Sequence, residues 1–321
     1  MVRFHPFVFN CFTGQGKHRY SIAVSCIRGH RAFRPLYVGE FESSRDGEHI
    51  DRHVVEALGL TRVVIENGEV TEVGVPRVEY CPLFSKYRGI ERITPDIVRK
   101  NIDFRIKDFG MCTPRRELRM RDFLSFGISE LMAMAVSKGL LDCAVVVCDG
   151  AGTTVITDPE LIQGIGGRVS GITETTPYAE VVEVLGKERV LDPVTGRIDQ
   201  FDGVELAREL GFRKIGVTLV SSRDARRIRK RFGDDAALFA VHTSGVSKKE
   251  AEGLLEECDV VTACASKWIR ELAPKKSLLQ AGKKIPVYAM TEVGRKIVEE
   301  RLKEIGTSGS DDSKDLPRPL I

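Results

Sequence analysis

The chain has 321 residues, of which 42% are hydrophobic, and a net charge of +3 that is small against 49 basic and 46 acidic residues. This composition is typical of a globular protein with one large domain or two modest ones, and the charge favours neither nucleic acid nor an anionic membrane as a partner. No apolar stretch approaches the ~20 residues of a transmembrane helix, and the segment 4–12 is too short and too polar for a signal peptide. The sequence therefore predicts a cytoplasmic protein whose 8 cysteines are free thiols or metal ligands.

The predicted folded region spans residues 46–305. Residues 1–45 show neither a helical nor a strand period over any long window. We interpret them as a disordered or wrongly started extension, with a functional arm as the alternative. Residues 306–321 are polar and carry two prolines near their end, which predicts a disordered tail.

The regular part of the chain opens with a predicted hairpin lobe over residues 60–90. Asn67-Gly68 stands between two β-branched runs, and this dipeptide is a strong short-range signal for a β-hairpin. Residues 78–80 are predicted to add a third strand. This hairpin could belong either to the main sheet or to a small separate lobe.

A helical pair is predicted over residues 94–139. Thr94 caps a first helix that ends at Gly110, and a second helix runs from Pro114 to Gly139. Both show apolar residues at helical spacing. The first turns of the second helix carry basic residues that we interpret as solvated: Arg115, Arg116, Arg119 and Arg121.

Residues 140–305 form a predicted βαβ region. Examples of N-cap residues that begin helices between β-branched runs are Ser247 and either Ser221 or Ser222. Strands are predicted at 144–147, 153–157, 215–220, 238–241, 260–263 and 287–290. This alternation predicts an α/β fold, with a mainly parallel sheet, flanking helices and right-handed crossovers, in addition to the N-terminal hairpin.

Reactive side chains follow the predicted strands at their carboxyl ends, where open parallel sheets bind ligands. Asp149, His242 and Cys264 are the candidate catalytic residues at this edge. Because His242 and Cys264 follow consecutive strands, they could form a thiolate and base pair or two ligands of a metal. The alternatives are a hydrogen-bonded loop histidine and a buried apolar thiol. Further polar residues are expected at this edge: Ser221, Ser222, Thr243, Ser244, Ser266, Thr291 and Glu292.

Two glycine clusters and an arginine are candidate ligand-binding residues. Glycine-dense turns let backbone N–H groups approach an anion closely. The residues are Gly150, Gly152, Gly164, Gly166, Gly167 and Arg168. The first cluster also reads as an ordinary hairpin turn between two β-branched runs, and neither has the spacing of a nucleotide-binding fingerprint.

Three cysteines in predicted connections form a candidate metal site. Cys81, Cys112 and Cys264 would supply the three protein ligands of an iron–sulfur cluster or of a metal with one open position. The chain contains no C-x-x-C pair, so the site depends on the fold to bring these thiols together.

Several motifs, in consistent order over residues 50–305, resemble the methanogenesis marker protein 8 family. They lie at 81–89 (CPLFSKYRG), 107–114 (KDFGMCTP), 122–127 (DFLSFG), 149–153 (DGAGT), 157–168 (TDPELIQGIGGR), 241–245 (VHTSG) and 262–267 (TACASK). The resemblance implies an archaeal protein that accompanies the methyl-coenzyme M reductase system in a reducing, anaerobic cytoplasm. Free thiols and iron–sulfur clusters persist in such a compartment.

The sequence leaves three functional hypotheses open. The leading one is a cytosolic accessory protein of methanogenesis that holds an iron–sulfur cluster or metal through its loop cysteines and assists assembly or activation of a methanogenic enzyme. The second is an α/β enzyme acting on a small anionic substrate at the strand edge, with Asp149, His242 and Cys264 as reacting groups. The third is a binding subunit without chemistry. Nucleic acid is not expected as a partner, because acidic residues partly neutralise the basic helix after Ser221.

Overall fold

A computed structural model describes residues 50–121, 127–167, 171–282, 285–306 and 315–321 of the protein. The predicted extension over 1–45 and the candidate residue Arg168 lie outside these ranges. The strands are β1 (Arg52–Ala57), β2 (Thr61–Glu66), β3 (Glu69–Val73), β4 (Cys143–Cys148), β5 (Gly152–Ile156), β6 (Gly171–Thr175), β7 (Ile215–Leu219), β8 (Ala236–Ala240), β9 (Val260–Thr262), β10 (Leu279–Ala281) and β11 (Val287–Ala289). The helices are α1 (Pro82–Arg88), α2 (Pro95–Phe109), α3 (Ile128–Ser137), α4 (Pro159–Gly166), α5 (Ala179–Leu185), α6 (Gln200–Glu209), α7 (Ser222–Phe232), α8 (Lys248–Glu257), α9 (Lys267–Leu272) and α10 (Glu292–Glu304).

The larger sheet has seven strands in the order β10-β11-β9-β8-β7-β4-β5. Its centre, β9-β8-β7-β4, is parallel, and the strands outside it pair antiparallel with their neighbours. The predicted α/β fold with a mainly parallel sheet and flanking helices is confirmed. The prediction that the strand at 287–290 is parallel to its neighbours is wrong. This strand, β11, runs antiparallel to β9 and forms a hairpin with β10. Thr291 therefore lies at the opposite edge of the sheet, where its hydroxyl donates to Asp259 at 2.6 Å.

Helices cover both faces of this sheet because alternate residues of a strand point to opposite sides. In β8, Phe239 lies in the core formed with α3, α4 and α10. Its neighbour Leu238 lies in the core formed with α6, α7 and α8. Across the described residues, we find no helix with the length and hydropathy needed to span a membrane.

A smaller antiparallel sheet, with the order β3-β2-β1-β6, carries the N-terminal lobe. The predicted hairpin is confirmed as β2 and β3, with Asn67 at φ 51° and Gly68 at φ 77°, the left-handed conformation that a tight hairpin turn requires. The sheet packs against α2 through a third hydrophobic core. The predicted strand 78–80 is reduced to a single bridge between Tyr80 and Arg318.

The first of the two predicted helices is confirmed and the second is shorter than predicted. Thr94 caps α2 through its side chain, and Gly110 ends it at φ 69°. Instead of a helix from Pro114, the chain continues without helix to Arg121, and α3 begins at Ile128. The physical reason is that Arg116 is buried, so the segment follows the path that its ion pair requires.

The prediction of a disordered tail over 306–321 is wrong for residues 315–321. Arg318 pairs with Tyr80 in an antiparallel bridge, and the backbone N–H of Ile321 donates to the carbonyl of Ala265 at 2.9 Å. Proline and polar composition suggested disorder, but backbone hydrogen bonds to distant parts of the chain fix this segment.

Candidate functional site

The carboxyl ends of the parallel strands carry Asp149, His242 and Cys264, as predicted. In this protein an earlier part of the chain covers that edge. Each of the three residues contacts a different partner there, in order Cys112, Glu56 and Cys81. The predicted reacting groups therefore belong to three separate clusters.

Asp149 belongs to a buried ion pair. Its carboxylate accepts from Arg116 Nε at 2.9 and 3.0 Å, and both side chains are fully buried. It also accepts from the backbone N–H of Cys112 at 2.7 Å. Arg116 Nη2 in turn donates to the carbonyl of Gly164 at 2.9 Å. Because these donors satisfy the carboxylate in the core, the arrangement has the features of a structural pair.

Cys112 lies in this same cluster and apart from the other two candidate ligands. Its side chain is fully buried, and burial together with the charge of Asp149 raises the pKa of its thiol well above the usual value. Its φ of 55° is unusual for a residue other than glycine and turns its N–H toward Asp149. Among the residues that the structure describes, no three His, Cys, Asp or Glu side chains are grouped to hold a metal ion.

A chain of buried hydrogen bonds that the sequence did not predict adjoins the Asp149 cluster. The Tyr178 hydroxyl donates to the carbonyl of Cys112 at 3.1 Å, and it pairs with His53 Nε2 at 2.9 Å. Thr175 Oγ1 pairs with His53 Nδ1 at 2.8 Å and accepts from the N–H of Gly150 at 2.8 Å. A phenol has one proton to donate, so His53 carries its proton on Nε2 and accepts from Thr175. His53 was not among the predicted site residues, because β1 and β6 were not predicted.

His242 joins the two sheets. Its Nδ1 lies 3.2 Å from Glu56 Oε1 of β1, and each side chain is about one-third exposed. Its backbone adopts φ 51°. The described partner of His242 is therefore this glutamate. The predicted pair of His242 and Cys264 is not found, and Cys264 interacts with Cys81 instead.

Cys81 and Cys264 lie close enough for each thiol to shift the pKa of the other, and we call them the thiol pair. Cys81 is the N-cap residue of α1 and is 6% exposed, whereas Cys264 follows β9 and is partly exposed. The hydrogen bond from Cys264 lowers the pKa of Cys81 to about 6, against the effect of burial, with help from the N–H groups of Phe84 and Leu83 and the charge of Arg270. The same hydrogen bond and burial raise the pKa of Cys264. The pair therefore holds one proton, with the thiolate on Cys81.

Basic and aromatic side chains surround the loop that carries Cys264. Arg270 Nε donates to the Cys264 carbonyl at 2.8 Å. The ring of Trp268, in the first turn of α9, lies 4.9 Å from Lys267 Nζ and 5.6 Å from Lys248 Nζ. Ser266 caps α9 by accepting from Ile269 N. This short helix thus fixes the loop immediately after the reactive sulfur.

The candidate glycines are packing positions. Gly150 and Gly152 belong to the β4–β5 hairpin, so the hairpin interpretation of Asp149-Gly150 is confirmed. A Cβ on Gly150 would lie 2.8 Å from the Tyr178 ring, and one on Gly152 would overlap a backbone carbonyl. The prediction of a glycine-dense turn at the second cluster is wrong, because Gly164 and Gly166 lie inside α4 and Gly167 ends it. A Cβ on Gly164 would overlap the Leu118 carbonyl.

A groove of about 770 Å³ is lined by the β2–β3 turn, the end of α2 and Tyr178. This volume suits a small ligand. Neither cysteine of the thiol pair lines it.

Comparison with known proteins gives a family and no assigned activity. The family model described as "Uncharacterized protein conserved in archaea (DUF2099)" matches residues 53–303. The chain belongs to the DUF2099 family. An uncharacterised protein of Methanocaldococcus jannaschii is 44% identical to this DUF2099 protein over 261 residues, which cover 80% of this chain and 92% of that relative. No solved structure matches.

The matched region of the DUF2099 protein contains both members of the thiol pair. Cys81 and Cys264 lie inside residues 53–303, as do Asp149 and His242. The segment 315–321 lies beyond the match. The thiol pair is therefore part of the region that defines the family, whereas the segment that contacts its two loops is not.

Proposed function

We propose that this protein acts through a redox-active pair of thiols, Cys81 and Cys264. The observation that carries the proposal is that two cysteines far apart in the sequence meet in the fold. The neighbouring residues Tyr80 and Ala265 bond to the same short segment, 315–321, and each thiol shifts the pKa of the other. The other cysteines of the described residues do not offer this chemistry, because burial raises the pKa of all four: Cys112, Cys143, Cys148 and Cys258. A thiolate that is stabilised at neutral pH and has a second thiol in contact can exchange with a disulfide.

The two sulfurs of the pair would carry out different steps of thiol–disulfide exchange. The Cys81 thiolate attacks one sulfur of an incoming disulfide, so that a mixed disulfide forms and the first thiolate of the substrate leaves. Cys264 then gives its proton to that thiolate and attacks Cys81 Sγ, which releases the second thiolate. The substrate disulfide is reduced by two electrons and the protein pair is oxidised to a disulfide.

The alternative to thiol–disulfide exchange is that these thiols bind a metal or an iron–sulfur cluster. The pair would supply two thiolate ligands to an iron–sulfur cluster or to a soft metal, and both usually require more than two. Cys112, the third predicted ligand, is held in the Asp149 cluster. The remaining ligands would therefore come from a partner protein or from another part of the chain.

We propose the cellular role that the sequence resemblance implies. The protein would be a cytosolic accessory factor of methanogenesis that serves assembly or activation of the methyl-coenzyme M reductase system. The resemblance to the marker protein 8 family, the archaeal family match and the Methanocaldococcus jannaschii relative support this setting. Thiols in a reducing cytoplasm remain available for such a role.

Alkylation at different pH values under anaerobic conditions tests the thiol pair. We expect the rate of modification by iodoacetamide to rise as the pH increases through about 6, because the pair then loses its first proton. In Cys264→Ser the inflection should move to higher pH or the reaction should be lost, whereas Cys258→Ser, which alters a fully buried thiol, should behave like the wild type. Mass spectrometry after treatment with oxidised glutathione should find a disulfide between Cys81 and Cys264.

Two results would contradict the proposal. One is an inflection near the pKa of an ordinary thiol, about 8.5, with no disulfide at any glutathione ratio. The other is iron and sulfide in the anaerobically purified protein that are lost in both Cys81→Ser and Cys264→Ser, which would assign the pair to a cluster.

A further inference from the structure

One short segment, residues 315–321, contacts the loops of both reactive cysteines. On one side, Arg318 exchanges backbone hydrogen bonds with Tyr80 at 3.0 and 3.1 Å. On the other, Ile321 donates to Ala265 at 2.9 Å and accepts from Lys267 N–H at 2.8 Å. Tyr80 directly precedes Cys81, and Ala265 directly follows Cys264.

Side chains anchor the first of these contacts. The Tyr80 hydroxyl donates to Asp315 Oδ2 at 2.8 Å, and the Arg318 guanidinium stacks 3.8 Å from the centre of the Tyr80 ring. Arg318 also lies 3.5 Å from Asp315, and Pro317 between them is buried. Backbone pairing, a phenol hydrogen bond and a cation–π contact thus fix the segment on the residue before Cys81.

We propose that segment 315–321 is a strap that positions the thiol pair: its docking on Tyr80 and Ala265 holds Cys81 and Cys264 within reach of each other and sets the equilibrium between dithiol and disulfide. The inference rests on the proposed function of the pair. Two loops from different parts of the fold meet at these sulfurs, and the strap bonds to the backbone beside each of them. Arg318 and Asp315 are accordingly positioning residues that touch neither sulfur.

Thermodynamic linkage makes the effect reciprocal. If docking of the strap favours the disulfide by some factor, formation of the disulfide must favour docking by the same factor. Oxidation joins the sulfurs by a bond of about 2.05 Å, which can form only while the two loops stay close together, and the docked strap bonds to both loops. The backbone amides of the strap should therefore exchange with solvent more slowly in the oxidised protein than in the reduced protein.

The test compares disulfide formation in strap variants of the full chain. Asp315→Ala combined with Arg318→Ala removes both side-chain anchors, and we expect the ratio of disulfide to dithiol in a fixed glutathione buffer to fall about tenfold. Leu316→Ala is the matched control, since Leu316 is exposed, and it should equal the wild type. The conservative pair Asp315→Asn and Arg318→Lys keeps an acceptor and a cation and should recover most of the ratio.

Hydrogen exchange gives a second readout that a merely structural strap would not change. The amides of Arg318 and Ile321 should exchange more slowly in oxidised than in reduced wild-type protein, by about the factor found in the variants. An unchanged glutathione equilibrium in Asp315→Ala/Arg318→Ala, in protein that still forms the disulfide, would overturn the strap and leave the thiol pair standing. Failure of the wild type to form the disulfide would overturn both.

Discussion

His53 shows how a single buried side chain depends on its protonation state. The hydrogen bonds with Thr175 and Tyr178 use one ring nitrogen as an acceptor and the other as a donor, which is possible only for neutral imidazole. Both ends of this chain of hydrogen bonds are backbone groups, Gly150 N–H and the Cys112 carbonyl. A charged His53 would donate from both ring nitrogens, so the Thr175 hydroxyl would have to turn and accept from Nδ1. Burial opposes this charged state, so the network in its present pattern of donors and acceptors requires a neutral His53.

We predict that His53 makes the protein less stable in acid. Burial lowers the pKa of His53 below its ordinary value of 6.5, so the unfolded chain binds a proton that the folded chain does not. The stabilisation is complete above pH 6.5 and is lost as the pH falls below it. His53→Gln should lose less unfolding free energy than the wild type between about pH 7.5 and about pH 5.5, as measured by urea denaturation.

The control for this prediction is Leu316→Ala, which alters an exposed side chain outside the network and should retain the wild-type pH dependence. The pH dependence that persists in His53→Gln belongs to other groups, Cys81 among them. An identical pH dependence in the wild type and His53→Gln would show that the His53 network is not what acid disrupts.

At the scale of elements, α4 illustrates packing that overrides helix propensity. Its sequence contains two glycines, which disfavour a helix, yet Asp158 caps it and the chain from 159 to 166 is helical. The helix lies so close to the preceding segment that a Cβ on Gly164 would overlap the Leu118 carbonyl. The carbonyl of Gly164 also accepts from Arg116, so the position of α4 is tied to the buried ion pair.

Gly164→Ala should therefore destabilise the protein although alanine is the better helix former. We expect a loss of about 2–3 kcal/mol, because overpacking a core contact costs about 1–3 kcal/mol and the Arg116 hydrogen bond is displaced as well. Gly171→Ala is the comparison, since a Cβ there would have no neighbour closer than 3.4 Å. Guanidinium denaturation of both variants measures the difference, and equal stability would mean that α4 shifts without cost.

Local signals in the sequence predicted the elements that depend on local interactions. Asn67-Gly68 predicted the hairpin, and Thr94 predicted the start of α2. The alternation of strands and helices after residue 202 predicted the parallel strands, and from them the position of Cys264 at a strand end. Contacts between distant segments decided the rest. β1 and β6 pair with each other although more than a hundred residues separate them in the sequence. Helix α4 is stabilised by its packing against a distant part of the chain.

The candidate site was predictable only in part for the same reason. Cys264 at a strand end follows from the topology, but its pairing with Cys81 depends on how the smaller sheet covers the larger one. The sequence places Cys112 in a loop just as it does Cys81, but in the fold Cys112 lies beside the buried Arg116–Asp149 pair and Cys81 beside Cys264. A reactive thiol and an inert one can therefore look alike in sequence.

At the scale of the whole molecule, the thiol pair connects two parts of the fold. Cys81 follows the smaller sheet and Cys264 ends a strand of the larger one, so a disulfide would cross-link them. We expect oxidation to raise the free energy of unfolding by about 2–4 kcal/mol, because the bond closes a long loop in the unfolded chain. Denaturant unfolding of oxidised and reduced protein measures this, and Cys264→Ser should show no difference between the two conditions. A less stable oxidised form would indicate that the disulfide strains the native contact.

The position of Trp268 gives the molecule an intrinsic optical probe. It is the only tryptophan of the chain, and it lies in α9 just after the Cys264 loop, near the ammonium groups of Lys267 and Lys248. Lys267 also bonds through its backbone to Ile321. Indole emission responds to nearby charge, polarity and sulfur, so the fluorescence of the unlabelled protein arises at the site where thiol chemistry and the strap meet.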